Sequence, residues 1–198
     1  LSDALLVAGD VAGALASARE AWVMDQRMAV ADPANVDARL DVAYDLGTLA
    51  ELEGRLGRLP AALEHARGGV ALLADLAARQ PDNAEIALVR VQQLLALGGL
   101  LARSGDLAAA QAAWREAEPR SAAVLAADRD NAETRSALAE SWARVAEARA
   151  QLAGRVRSPD VAGCGEARLL AERARALGAT RVQERLAACA EPALRPDR

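Results

Sequence analysis

Leu63, Ala66, Val70, Leu73 and Ala77 follow one another at steps of three and four, the spacing that lines one side of a helix. The positions that interrupt such stripes recur at one fixed interval. Asn35, Asn83 and Asn131 are evenly spaced, and Gly9, Gly57 and Gly105 keep the same step, as do Ala14, Ala62 and Ala110. Leu46, Leu94 and Trp142 keep it too. Four residue classes returning in one register define an internal repeat, and a period of roughly 48 residues implies stacked supersecondary units.

Each unit reads as two helices. The first opens at the Asn, a favoured N-cap whose side chain accepts from a free amide of the first turn. Asp37, Glu85 and Glu133 follow two residues on, where an acid complements the helix dipole. Pro33 and Pro81 lie just before the cap and stop the preceding helix. The first helix then runs to Gly57 or Gly105, each placed where a left-handed residue ends a helix. Asp10 and Asp106 are caps for the second helix, and Pro60 falls in its first turn, where proline is tolerated. The second helix ends near Arg79. Its counterpart contains Pro119, which removes one hydrogen bond and crowds the carbonyl of Arg115, so a kink or break is expected around 115–119.

Composition narrows the fold class to all-α. The chain is 53% hydrophobic, mostly Ala and Leu, with 2% aromatic residues and no Phe. Such a core suits close helix contact, and the shortage of β-branched and aromatic residues disfavours sheets. Net charge is −4 and all 24 basic residues are Arg. Acids and arginines alternate as on solvated helix faces, which argues against nucleic-acid binding. Ala, Arg and Gly in excess with no Lys also fit a bacterial genome of high GC content. No run of 18 wholly apolar residues occurs, Asp75 interrupting the stretch near Val70–Ala78, so no membrane span is expected in this segment. The chain begins at Leu1, inside a repeat, as an excised part of a longer protein would.

The residues around each turn resemble the tetratricopeptide repeat. Leu49-Ala50 and Leu97-Gly98 fall on that family's Leu-Gly pair, and Ala62 and Ala110 on its small residue in the second helix. Trp114 matches its large residue one turn later, and Trp142 the aromatic near the start of the first helix. The family period is roughly 34 residues, so this unit is longer by about 14, or two helical turns added to each helix. Long repeats with "DPAN" or "PDNAE" junctions resemble arrays attached to bacterial serine/threonine kinases, although no nucleotide loop or catalytic-loop set of a kinase is present.

The resemblance implies a right-handed α-solenoid of antiparallel helix pairs across 1–198, with units of about 1–32 (partial), 33–80, 81–128 and 129–178 and a capping helix at 180–191. It implies a concave wall built by the first helices. The facing positions are then Tyr44, Thr48, Glu51 and Arg55; Gln92, Leu95 and Arg103; and Glu140, Arg144, Glu147 and Gln151. Mixed polarity there suits an extended peptide or protein partner. The Lys/Asn clamp that holds a C-terminal carboxylate in chaperone-binding members is not reproduced. The expected function is non-catalytic partner binding or sensing, with self-association and oligomerisation as the alternative. Such a module would be extracytoplasmic if attached to a membrane kinase and cytoplasmic otherwise.

The remaining chemistry is sparse. Cys164 and Cys189 are the only cysteines; antiparallel packing of their helices would allow a disulfide, and two buried thiols are the other reading. Two Cys and one His at no shared short spacing supply no metal site, and no cofactor is expected. His65, off the apolar stripe, reads as a solvated side chain. Trp22, Trp114 and Trp142 read as core, with a groove-lining role open for Trp22. After Gly154 a polar stretch with Pro159 breaks the period, and the next helix is expected to run to Leu177 and stop at Gly178. Thr180 and Gln183 form a capping-box pattern for the last helix.

Overall fold

The computed structural model describes residues 9–155 and 161–179, and of residues 151–155, 161–164 and 166 it describes the backbone alone. All the regular structure among the described residues is helical. The helices are α1 (Val11–Ala31), α2 (Val36–Arg55), α3 (Leu59–Arg79), α4 (Ala84–Ser104), α5 (Leu107–Ala127), α6 (Ala132–Arg155) and α7 (Val161–Ala176). The repeat is visible in these bounds. α1, α3 and α5 both begin and end one full period apart, and α2, α4 and α6 begin at the same step.

The caps explain the period. Asn35 accepts from the Ala38 amide at 3.0 Å, Asn83 from Ile86 at 3.1 Å, and Asn131 from Thr134 at 3.1 Å. Each satisfies an amide that the first turn leaves without a partner. Asp10 and Asp106 do the same for Gly13 and Ala109. At the other end Gly57 and Gly105 adopt φ of 76° and 93°, a region that penalises any side chain. The amides of Arg58 and Asp106 then reach back to the carbonyls of Glu53 and Leu101 at 2.9 and 3.0 Å. That is the double closure that lets a helix end and reverse within two residues. The late helix closes alike, Gly178 at φ 109° and Ala179 donating to Ala174.

Pro119 does not break α5, which runs unbroken from Leu107 to Ala127. Its ring lies on the exposed side, where a carbonyl deprived of its helical partner can be met by water or a side chain. The buried face, carrying Ala113, Ala117, Ser121 and Val124, continues past the proline.

Two compact units are distinguished, one up to Asp130 and one from Asn131. In the first, every helix packs on its neighbour in sequence, and α2 also meets α4 directly. One cluster joins Leu40 and Ala43 of α2, Leu73 and Leu76 of α3, and Ile86 and Val89 of α4; a second joins Ala14, Leu15 and Ala18 of α1 to Leu49 and Leu52 of α2. The stripe predicted on α3 is rotated slightly. Ala62, Ala66, Gly69, Leu73 and Leu76 are the buried positions, and Leu63 and Val70 flank them.

α4 is long and apolar enough to cross a membrane by length and composition, with a mean hydropathy of 1.4, because Glu85 and Arg90 are its only charges before Arg103. Its setting accounts for that composition: α2, α3 and α5 all pack on it, and 56% of the apolar window is buried. In the second unit α6 packs on α7. Trp142 is 2% exposed and lies under the Arg173 guanidinium, 4.8 Å from the ring centre, so its face meets a cation across the pair.

Candidate functional site

The stripe Tyr44, Thr48, Glu51 and Arg55 runs along one face of α2 at steps of four, three and four, and all four side chains reach solvent. They are not loose. The Tyr44 hydroxyl donates to Glu85 Oε1 at 3.0 Å, bridging α2 to the first turn of α4. Thr48 donates to the Tyr44 carbonyl at 3.1 Å, and Arg55 pairs with Glu51 at 2.6 Å. Burial, with the Glu85 carboxylate next in importance, pushes the Tyr44 phenol up to about 12. The hydroxyl therefore keeps its proton at neutral pH and serves as a hydrogen-bond donor.

On α4, Gln92 is half-buried and Arg103 is exposed along its length. The head of Arg103 donates to the Gly54 carbonyl at 2.7 Å, so the seam between α2 and α4 is tied near both ends, by Tyr44–Glu85 and Arg103–Gly54. A Cβ at Gly54 would press on Leu100 and Arg103, so glycine is what allows this approach.

Leu95 is a correction. It is 2% exposed, and its carbonyl accepts from Trp114 Nε1 at 3.2 Å. Leu95 shares its register position with Gly47, which turns inward toward Gln93. The equivalent of Thr48 is Ala96, which is exposed, and that of Glu51 is Gly99, half-buried, where an added Cβ would meet nothing. Beside the polar row of α2, therefore, α4 offers a low floor of Ala96 and Gly99 between Gln92 and Arg103. The signal was present in the period and was missed by one position.

In the second unit Glu140, Arg144 and Glu147 lie in the equivalent stripe of α6. Arg144 is exposed and sits 3.6 Å from Glu140. The Gln151 side chain lies outside the described residues, as do Cys189, the Cys164 side chain, Thr180, Gln183 and the capping helix. A disulfide therefore has no structural counterpart to compare with.

His65 departs from the solvated reading. It is half-buried, and its ring meets Trp22 edge-on at 6.1 Å. Neither its Nδ1 nor Trp22 Nε1 has a hydrogen-bond partner among the described residues. Trp22 packs at the edge of the α1–α2 cluster, and Trp114 and Trp142 are core.

Three polar features went unnoticed in the sequence. Glu53 is fully buried, with Arg19 of α1 on its Oε1 at 2.5 Å and its Oε2 unpartnered among the described residues. Gln93, 8% exposed, threads between Gly47 and Gly69 and donates to the Ala43 carbonyl. Asp45, the register equivalent of Gln93, meets Asp25 of α1. Burial first, then the hydrogen bond and charge of Asp25, raise Asp45 to about 7. A polar residue at 45, 93 and 141, inside otherwise apolar stretches, was the available clue.

An apolar hollow of about 310 Å³ lies where α1, α2 and α3 converge, lined by Val30, Pro33, Val42 and Leu72 with Arg39 and Arg79, both of which pair with Asp75. Among the described residues no three His, Cys, Asp or Glu side chains are gathered to hold a metal ion. Against protein families, curated proteins and solved structures alike, the chain shows no match.

Proposed function

We propose that this chain is a tetratricopeptide-like, non-catalytic module that binds an extended peptide or protein segment along the face shared by α2 and α4. The stacked arrangement is a right-handed superhelix in this reading, with first helices forming the inner wall. One observation carries it. Helix bounds and caps return at a single period while α2 meets α4 directly, as first helices do when pairs are stacked in series. The α2–α4 face has the composition such binding uses. Polar groups already held in place by Tyr44–Glu85 and Glu51–Arg55 border the Ala96–Gly99 floor, so little side-chain freedom is lost on binding.

Filling the floor tests the proposal without cutting any existing contact. Gly99→Gln replaces a mid-helix glycine, at which an added Cβ meets nothing, with a better helix former and is expected to stabilise the fold by about 0.5 kcal/mol. The same change should displace extended peptides selected on the wild-type chain from a random displayed library. If selected peptides bind the Gly99→Gln and Tyr44→Ala/Gln92→Ala variants as tightly as the wild type, this face is not the binding surface.

A further inference from the structure

Around the apolar hollow between α1, α2 and α3, one unit departs from the next. Val42 and Leu72 line it, and their register equivalents are Arg90 and Arg120, which meet on Glu116 at 3.0 and 3.3 Å. The place of Glu116 is taken by Gly68 in the earlier unit. Long polar side chains thus stand on one seam where the other has Val42, Leu72 and a glycine. The charges of the earlier seam lie at the rim instead. Arg39 and Arg79 both reach Oδ2 of Asp75, at 2.5 and 3.1 Å, where the next unit has Ala87, Ala127 and Ala123.

That rim is net positive. The hydrogen bond from Arg39, above all, holds the Asp75 carboxyl below its usual value, so two guanidiniums share one carboxylate. Neither arginine has a further partner among the described residues, which leaves most of their N–H groups open to an anion. Below the rim the wall is apolar. Its volume of about 310 Å³ is at the small end of clefts that hold small molecules, with room for about ten non-hydrogen atoms at roughly 30 Å³ each. The stack itself does not fill this place. α2 lies against α3 and α4 through Leu73, Leu76, Ile86 and Val89. The equivalents of those four on α1 and α2 are Asp25, Met28, Ala38 and Asp41, and none of them lines the hollow. The hollow is therefore off the path of any helix stacked ahead of α1.

We propose that this hollow binds a medium-chain fatty acid, a carboxylate on an unbranched chain of about eight carbons. The chain lies on Ala29, Pro33, Val42 and Leu72, out of water. The carboxylate accepts from Arg39 and Arg79 at the rim, beside Asp75, where the second guanidinium outweighs the resident acid. Arg39 and Val42 lie on the opposite side of α2 from Tyr44, Thr48 and Glu51, by the helical step. The site is thus separate from the α2–α4 face, and either can fail without the other.

Calorimetric titration of the full chain with octanoate, octanamide and acetate tests this. Octanoate is expected to bind about tenfold tighter than octanamide, the order of one charge-assisted hydrogen bond. Acetate, with no chain to bury, should give no heat of binding at the same concentration. Ala29→Leu fills the hollow from a half-buried position. It should weaken octanoate about tenfold, the order of two methylenes left unburied, with the melting temperature unchanged or raised. Arg79→Glu, at an exposed position, turns the rim net negative and should reverse the preference to octylamine over octanoate. Circular dichroism checks that both variants keep their helices. No octanoate binding at about 1 mM, the weak end of specific binding, overturns the proposal. So does binding that ignores the headgroup or survives Ala29→Leu unaltered. Displacement of octanoate by a leucine-terminated peptide at much lower concentration would give the hollow to a peptide C-terminus, and would likewise overturn it.

Discussion

Ala50 and Ala66 occupy, in the pair α2–α3, the positions that α4–α5 fills with Gly98 and Trp114. All are buried or within the buried layer. A Cβ on Gly98 would fall inside the Trp114 indole, whose Nε1 reaches the Leu95 carbonyl on the same helix. Two small residues in one pair thus become the smallest and the largest in the other. Glu53 and Leu101 form a second contrast: at one buried position the first pair carries a carboxylate tied to Arg19, and the second a leucine at 4% exposure. Asp45 and Gln93 are a third. The lesson is that the repeat keeps backbone places, set by caps and turns, while interior volume and polarity are matched locally between helices that touch.

The largest expected effect comes from undoing the volume swap. Trp114→Ala should cost about 3–5 kcal/mol by leaving a cavity, and Gly98→Ala about 1–3 kcal/mol by overpacking. The double variant recreates the Ala–Ala solution of the first pair, so its loss in chemical denaturation should fall clearly short of the two single losses added. Strict additivity would mean that the two sites do not share a space.

Next comes the buried acid. Arg19→Ala should cost about 2 kcal/mol, since it strands the Glu53 carboxylate, though Arg19 is half exposed and part of the penalty is screened. Glu53→Leu, which copies Leu101, should stay within about 1 kcal/mol of the wild type. A Glu53→Leu variant as unstable as Arg19→Ala would show that the ion pair carries net stability.

The smallest effect is on pH dependence. Asp45 is raised from 3.8 to about 7, so between those values the folded chain keeps a proton that the unfolded chain releases. Stability from this group is full below about pH 4 and is lost as pH rises through 7. Asp45 is only partly buried, so solvent screens much of this and the change is of the order of 1 kcal/mol. Asp45→Asn, bringing the first pair to the uncharged state of Gln93, should flatten that part of the stability–pH curve and raise stability at pH 8. An unchanged slope in the variant would remove Asp45 as its source.

Helix ends were the most legible part of the sequence, because Asn, Gly and Pro act locally. Asn35, Asn83 and Asn131 cap through amides two or three residues away, and Gly57 and Gly105 need only their own φ. What lay beyond the sequence depends on partners far along the chain. Glu53 reads as a surface acid until Arg19 is seen to reach it from 34 residues away. His65 reads as solvated until α1 brings Trp22 to its ring. Leu95 shows a third kind of miss. A face of a helix crowded on several sides is narrow, and one position of slip moves a residue from the open stripe to the core.

The Gly98–Trp114 fit restricts how such a chain can be spliced. Recombination at the glycine turns would join α2 to α5 and set the Ala50 methyl into the volume of the indole. Recombination at the asparagine junctions transfers α4 and α5 together, with hole and filler in the same piece. Of two breakpoints spaced alike, only the second keeps this hole and its filler in one piece.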